Sequence, residues 1–362
     1  MLAKEDCVAL AANIMAEERY RSIVATVDMI GLGIKSPENR HTLPEVEIYN
    51  FSSLREYLRF MRSEKPDIVF GNARTVVGLT ASFFGRRSVF MNHHSSLPKK
   101  WWQRIVLKVF LPRFDAIKAD TEAEKRELLK LGTLDAKKIS IIPIPIDHKF
   151  LGKKPAQDYL RALRKRYGIE DGEKVLLFLS VLREHKRPDT ILKALKLLRD
   201  QNIRVKLLQV GKDVLKERIG KSFGELATKL GVTDSVVSTG RVSDEDLQAF
   251  LHLADVGIQS SDAEGQCIVA FEYAAAGLPE CLSNLHSFEI FGGNVLRHEP
   301  GDAEKLAKNL EYYLTHPAVA KVHAKKNQAL VRKQYDYDLI KGKMRAFILG
   351  KKPAAVRRGQ RR

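Results

Sequence analysis

Cysteine is scarce in this chain: 362 residues hold three, Cys7, Cys267 and Cys281. They have neither metal-ligand spacing nor the density of a disulfide framework, which excludes a disulfide-stapled scaffold and fits a reducing compartment. No apolar run approaches the roughly 20 residues of a membrane-spanning helix, and no signal peptide is visible. That excludes a spanning helix but leaves peripheral attachment to a membrane open. No Asp-x-Asp pair sits in a loop suited to a metal, so no metal is expected, and there are no internal repeats. Acidic residues are in deficit, 44 against 62 Lys and Arg, for a formal charge of +18. No nucleic-acid recognition module accompanies that charge, so no specific nucleic-acid partner is expected.

Much of the positive charge is local. From Lys341 to Arg362 there are nine Lys or Arg and no acid. The last stretch, 350–362, lacks periodicity and reads as a disordered basic tail able to meet an anionic bilayer. The length suggests two domains, and strand patterns alternating with helical ones predict doubly wound α/β architecture. Tyr20–Asp28, Val46–Phe51, Asp67–Gly71 and Ser88–Asn92 read as strands. The expected first domain covers 1–150 and the second 151–334, with a Lys-, Pro- and Gly-rich crossing near 150–172. A helix over 335–349 follows. Glu5–Glu18 already reads as a helix, with Val8, Leu10, Ala11, Ile14 and Met15 on its apolar face.

The most informative stretch runs from Ala254 to Pro279. Ala254–Gln259 reads as a buried strand of the parallel type, closed by the polar Ser260-Ser261-Asp262 turn. Glu264 follows in a loop beside Gly265, and Glu272 lies eight residues on in a helix of small residues that Gly277 and Pro279 should end. In an open α/β sheet that loop lies at the carboxyl end of a strand, where ligands bind, and the helix amides suit a phosphate. The plainer alternative is a solvated loop glutamate and an exposed helical one.

This segment resembles the E-x7-E signature of family 4 retaining, nucleotide-sugar-dependent glycosyltransferases, which have the GT-B fold of two Rossmann-like domains facing a central cleft. The similarity continues in order along most of the chain. Val175–Asp189 resembles the strand and basic loop that open the second domain, and Leu207–Gly211 and Val236–Val242 resemble its next strands. Ser243 before Asp246 gives a capping-box-like helix start. Phe114–Ile117 and Ile141–Asp147 resemble the ending of the first domain.

The resemblance implies roles. Lys186 is the phosphate-binding lysine, with Arg183 able to reach the same phosphate because Val181 holds the usual arginine position, and Arg187 is a secondary candidate. His94 faces the donor sugar, with His93 secondary. Glu264 orients the sugar hydroxyls, Gly265, Gln266, Cys267 and Ile268 form the phosphate-side mouth, and Glu272 binds the ribose. Cys267 replaces a smaller residue and narrows that mouth, and Ile144-Pro145 replaces the usual Asn-Gly. No covalent carboxylate is assigned, and no cofactor is expected beyond the nucleotide-diphosphate sugar.

Family members precede the first helix with a strand and a glycine-rich loop, and neither is present here. Either Met1 is not the true start or the sheet lacks its first central strand, which would expose two sheet edges. Pro98–Arg113 is basic, acid-free and amphipathic, with Trp101 and Trp102 beside Lys99 and Lys100. Such a pair suits a membrane interface, while a helix packing its apolar face inward is the other reading, and both stay open.

The sequence thus predicts a cytoplasmic glycosyltransferase, peripheral on the inner face of the membrane, with a lipid-linked or glycan acceptor. A sugar-nucleotide epimerase on the same fold and a non-catalytic scaffold subunit are the rivals.

Overall fold

Four helices begin where the sequence places a hydroxyl one residue ahead. Ser53, Thr121, Ser222 and Ser243 accept from the amides of Glu56, Glu124, Glu225 and Asp246 at 3.3, 3.1, 3.2 and 3.0 Å. Each satisfies an amide that the helix itself cannot. Asp246 does not return a bond to Ser243; its carboxylate accepts from the Tyr159 hydroxyl at 2.6 Å instead. The computed structural model describes residues 10–11, 14–15, 17–18, 22–27, 46–51, 53–72, 76–92 and 97–350. The tail beyond Gly350 and the histidine pair His93-His94 lie outside the described residues.

The described residues divide into two compact units, one of Ile146–Asp336 and the other of those before Ile146 together with those from Tyr337 to Gly350. The boundaries fall at Pro145 and Asp336 and not at 150 and 334. The reason is local: the Ile146 amide donates to the Tyr335 carbonyl at 2.9 Å, and Leu151, Leu160 and Leu163 belong to the core of the second unit.

In the first unit, β1 (Ser22–Val27) pairs in parallel with β2 (Val46–Phe51). Separately, β3 (Ile68–Asn72), β4 (Arg87–Met91), β5 (Ala116–Ala119) and β6 (Ile139–Ile141) form a four-stranded parallel sheet in that order. Among the described residues no ladder joins the two sheets. Leu10, Ala11, Ile14 and Met15 are buried against Val89, Met91 and Ala116. Ile340, Met344 and Ile348 of the Tyr337–Leu349 helix join the same core. Arg87 donates to the Phe347 and Ile348 carbonyls at 2.8 Å each, supplying a cation where a helix C-terminus carries partial negative charge.

The second unit holds a six-stranded parallel sheet. Its strands are β7 (Lys174–Leu179), β8 (Val205–Val210), β9 (Val236–Gly240), β10 (Val256–Gln259), β11 (Glu280–Ser283) and β12 (Leu296–His298), in the order β12-β11-β10-β7-β8-β9. Along β7 the side chains alternate between two buried faces. Val175, Leu177 and Leu179 enter one core and Leu176 and Phe178 the other, which explains the unbroken apolar run in the sequence. From β7 the chain proceeds to one side through β8 and β9, and from β10 to the other through β11 and β12. The order therefore reverses between β7 and β10, and ligands of open α/β sheets bind at the carboxyl ends beside such a reversal.

Candidate active site

Tyr273 opens the sheet at that reversal. β7 and β10 pair only at Leu176 with Val256 and Leu177 with Gly257. Beyond these, the buried Tyr273 hydroxyl takes over, accepting from the Leu179 amide at 2.9 Å and donating to the Leu177 carbonyl at 3.0 Å. Gln259 donates to the Leu179 carbonyl at 3.0 Å. Side chains thus satisfy backbone groups that the diverging strands leave behind. Sequence reasoning passed over Tyr273 and Gln259; a tyrosine and a glutamine inside apolar segments were the available signal.

Two loops leave this point. The one after β7 carries Arg183, exposed, and Lys186; the one after β10 carries Ser261, Asp262 and Glu264. They are tied by the Asp262 amide, which donates to the His185 carbonyl at 2.8 Å. Lys186 Nζ meets Glu264 Oε1 at 2.5 Å, and Ser261 Oγ donates to the same oxygen at 2.5 Å. The Lys186 and Glu264 side chains are 21% and 9% exposed, so the pair is sheltered from water yet reachable. Each ion currently answers the other; a ligand with anionic and hydroxyl groups would exchange with both partners at once.

Arg187 is used differently from a free phosphate ligand. Its backbone is left-handed at φ 50°, and its guanidinium grips Asp189 at 3.0 and 3.1 Å and Asp262 at 3.3 Å. These carboxylates hold it firmly protonated and make it a tie between the two loops.

The helix Ile268–Ala276 starts directly after Cys267. Gly265, Gln266 and Cys267 lead into its first turn, where helix amides carry partial positive charge and the Ala270 amide donates to the Cys267 carbonyl at 3.0 Å. Cys267 is buried, and burial pushes its thiol up, so it shapes the mouth as an uncharged group. The helix ends at Gly277, left-handed at φ 77°. Glu272 is 1% exposed, which overturns the reading of an exposed helical glutamate. A carboxylate kept at such a depth needs polar company.

His298, at the end of β12, is a second residue the sequence did not announce. Its Nε2 lies 2.9 Å from Ser260 Oγ, at the root of the Glu264 loop. Burial pushes its imidazole down to about 4, against the opposite pull of Asp302 and Glu299. In the unfolded chain the ring titrates near 6.5, so below that pH the unfolded state binds a proton that the folded state refuses. Stability should therefore be full above pH of about 6.5 and decline as pH falls towards 4. Thermal unfolding followed across this window should give a flatter pH dependence for His298→Gln than for the parent chain. An identical slope would remove His298 from the account.

Two Rossmann-like, parallel-sheet α/β domains, one with a lysine–glutamate pair beside its topological reversal, define a protein of the GT-B fold. Residues 161–335 match the model of glycosyl transferases group 1 and residues 12–150 that of Glycosyltransferase Family 4. The chain belongs to the family 4 glycosyltransferases. It is 30% identical over 196 residues to the alpha-monoglucosyldiacylglycerol synthase of Streptococcus pneumoniae, covering 52% of this chain and 43% of that enzyme. It is 30% identical over 170 residues to the D-inositol 3-phosphate glycosyltransferase of Kineococcus radiotolerans, covering 46% and 38%. The matched stretch is thus less than half the length of either relative. In fold it is similar to Anabaena Alr3699/HepE, solved in complex with UDP and glucose, with a TM-score of 0.79 at 20% identity over 95% of this chain and 96% of that one.

Proposed function

We propose that this protein moves a hexose-type sugar from a nucleotide-diphosphate sugar to a lipid-linked or glycan acceptor, with retention at the anomeric carbon. The observation that carries the reading is the Lys186–Glu264 pair at the carboxyl ends of β7 and β10. In glycosyl transfer the sugar becomes oxocarbenium-like while the diphosphate departs with growing negative charge. Lys186, Arg183 and the first-turn amides of the Ile268–Ala276 helix supply positive charge where that negative charge develops. Glu264, released from Lys186, accepts from sugar hydroxyls, and Glu272 accepts from the ribose. No cofactor or metal is needed for these roles. His94 keeps the sugar-facing role that the resemblance implies.

A lipid-linked acceptor agrees with the pneumococcal relative, an alpha-monoglucosyldiacylglycerol synthase. It would hold the protein at the cytoplasmic face of a membrane. Among the described residues no helix is long and apolar enough to cross one.

A thermal-shift panel of nucleotide sugars should single out one donor, and NMR of the transferred sugar should then give the donor's anomeric configuration. An inverted product would end the retaining reading. Isomerised donor in the absence of acceptor would favour the epimerase, and no donor response at all the scaffold. Glu272→Ala should weaken donor binding by about 1.5–3 kcal/mol through lost charge-assisted hydrogen bonds. Calorimetry on a folded variant with parental affinity would sink the ribose assignment.

A further inference from the structure

The Trp101–Phe110 helix turns its large apolar side chains outward. Trp101, Trp102, Ile105 and Val109 are 73, 49, 49 and 58% exposed, while Leu107 on the opposite face is buried. Trp101, Ile105 and Val109 recur at helical spacing and form one stripe, with Arg104 and Lys108 along its edge and Lys99 and Lys100 just ahead. The helix therefore packs one apolar face, through Leu107, onto the core and leaves a second apolar stripe facing outward. The surface extends to Phe83, 53% exposed, whose ring meets Phe110 at 5.7 Å and lies under the Arg113 guanidinium at 4.2 Å. Beside the stripe runs a groove of about 540 Å³, with Leu97, Trp101 and Ile105 as apolar wall and Arg104, Lys108 and Lys130 as cations. Glu127, the acid at its rim, is ion-paired to Lys130.

We infer that this face is a bilayer-docking surface, its tryptophans entering the interface of an anionic membrane and its groove cations meeting lipid phosphates. Charge selects this occupant. From Pro98 to Arg113 there are five Lys or Arg and no acid, the complement of an anionic leaflet. A second copy of the chain is disfavoured, because a two-fold contact would set the same cations against each other. A protein partner is disfavoured because the patch is rimmed with lysine, which protein interfaces deplete. Tryptophan beside lysine and arginine is the composition of membrane-interface elements. The inference deepens the lipid-acceptor reading and rests on it for its purpose, but vesicle binding requires neither donor nor acceptor, so either can fail alone.

Trp101 and Trp102 are the two tryptophans of the chain, so its indole emission reports this helix alone. With vesicles of phosphatidylcholine mixed with phosphatidylglycerol, the emission of the intact protein should shift to the blue and be quenched by brominated acyl chains. Phosphatidylcholine alone should give a much smaller response. Arg104→Gln combined with Lys108→Gln should weaken binding roughly 30-fold, and added salt should weaken it for the parent chain. Trp101→Ala with Trp102→Ala should abolish the salt-resistant part in flotation, with circular dichroism verifying the fold. Unchanged parental emission with anionic vesicles would overturn the inference whatever the variants do. So would a concentration-dependent dimer, in buffer alone, that buries the tryptophans.

Discussion

Lys186→Ala is expected to lower kcat by roughly 10²–10³-fold, the usual loss when one donor to a developing anion is removed. The donor's KM should move far less. The distinction follows from where the charge appears. In the bound donor the diphosphate charge is shared with the sugar linkage, and the full demand on Lys186 arises as the bond breaks, so its contribution is larger in the transition state than in the ground state. A second consequence precedes any substrate. Glu264 is 9% exposed and shares its Oε1 between Lys186 Nζ and Ser261 Oγ. Removing the lysine leaves a sheltered carboxylate with one hydroxyl, so the donor-free variant should melt lower, and adding Glu264→Gln should restore part of the loss. Steady-state kinetics with calorimetry separates the possibilities: an equal loss in donor affinity and in kcat would make Lys186 a ground-state anchor.

How far the sequence carried depended on the kind of interaction. Glu264 and Gly277 could be singled out because each sits at a chain position with a local rule, the loop after a parallel strand and the glycine that stops a helix, whereas Lys186, in the loop after β7, was singled out by the family resemblance. Tyr273 and His298 were not, because their roles depend on partners far along the chain. The Tyr273 hydroxyl bonds to Leu177 and Leu179, and His298 bonds to Ser260. A local sequence pattern cannot name what either side chain touches. The Trp101–Phe110 helix was ambiguous for a related reason. Its pattern fixes an apolar stripe, and only the packing of Leu107 on the opposite face says which side faces inward. Domain limits differ by a few residues because long-range contacts set them, among them the Ile146 amide on the Tyr335 carbonyl and the burial of Ile146 and Leu151 in the second unit's core.

Gly257→Ala should be among the most damaging single-methyl additions in the chain, because of Tyr273. A Cβ at Gly257 would lie 2.6 Å from Tyr273 Cδ2 and 2.8 Å from Cε2 and Cγ, well inside contact distance. The ring has little freedom to retreat: its hydroxyl is fixed by Leu179, Leu177 and Gln259 at 2.9, 3.0 and 3.3 Å. Overpacking of this kind costs about 1–3 kcal/mol, and a Tyr273 displaced from its hydrogen bonds adds a buried amide without a partner, about 1–3 kcal/mol more. We therefore expect a loss of about 4 kcal/mol in chemical denaturation. The same shift would re-aim the loops after β7 and β10, separating Lys186 from Glu264, so donor affinity should fall even where the variant remains folded. Tyr273→Phe keeps the ring and removes only the hydroxyl, and should cost about 1–3 kcal/mol with the loops less disturbed. Combining Gly257→Ala with Tyr273→Leu makes the test sharper, since a smaller side chain relieves the clash. The double variant should lose clearly less stability than the sum of its parts, as residues in direct contact couple. Additive losses would mean that the ring yields without cost, and that the opening between β7 and β10 is not maintained by Tyr273.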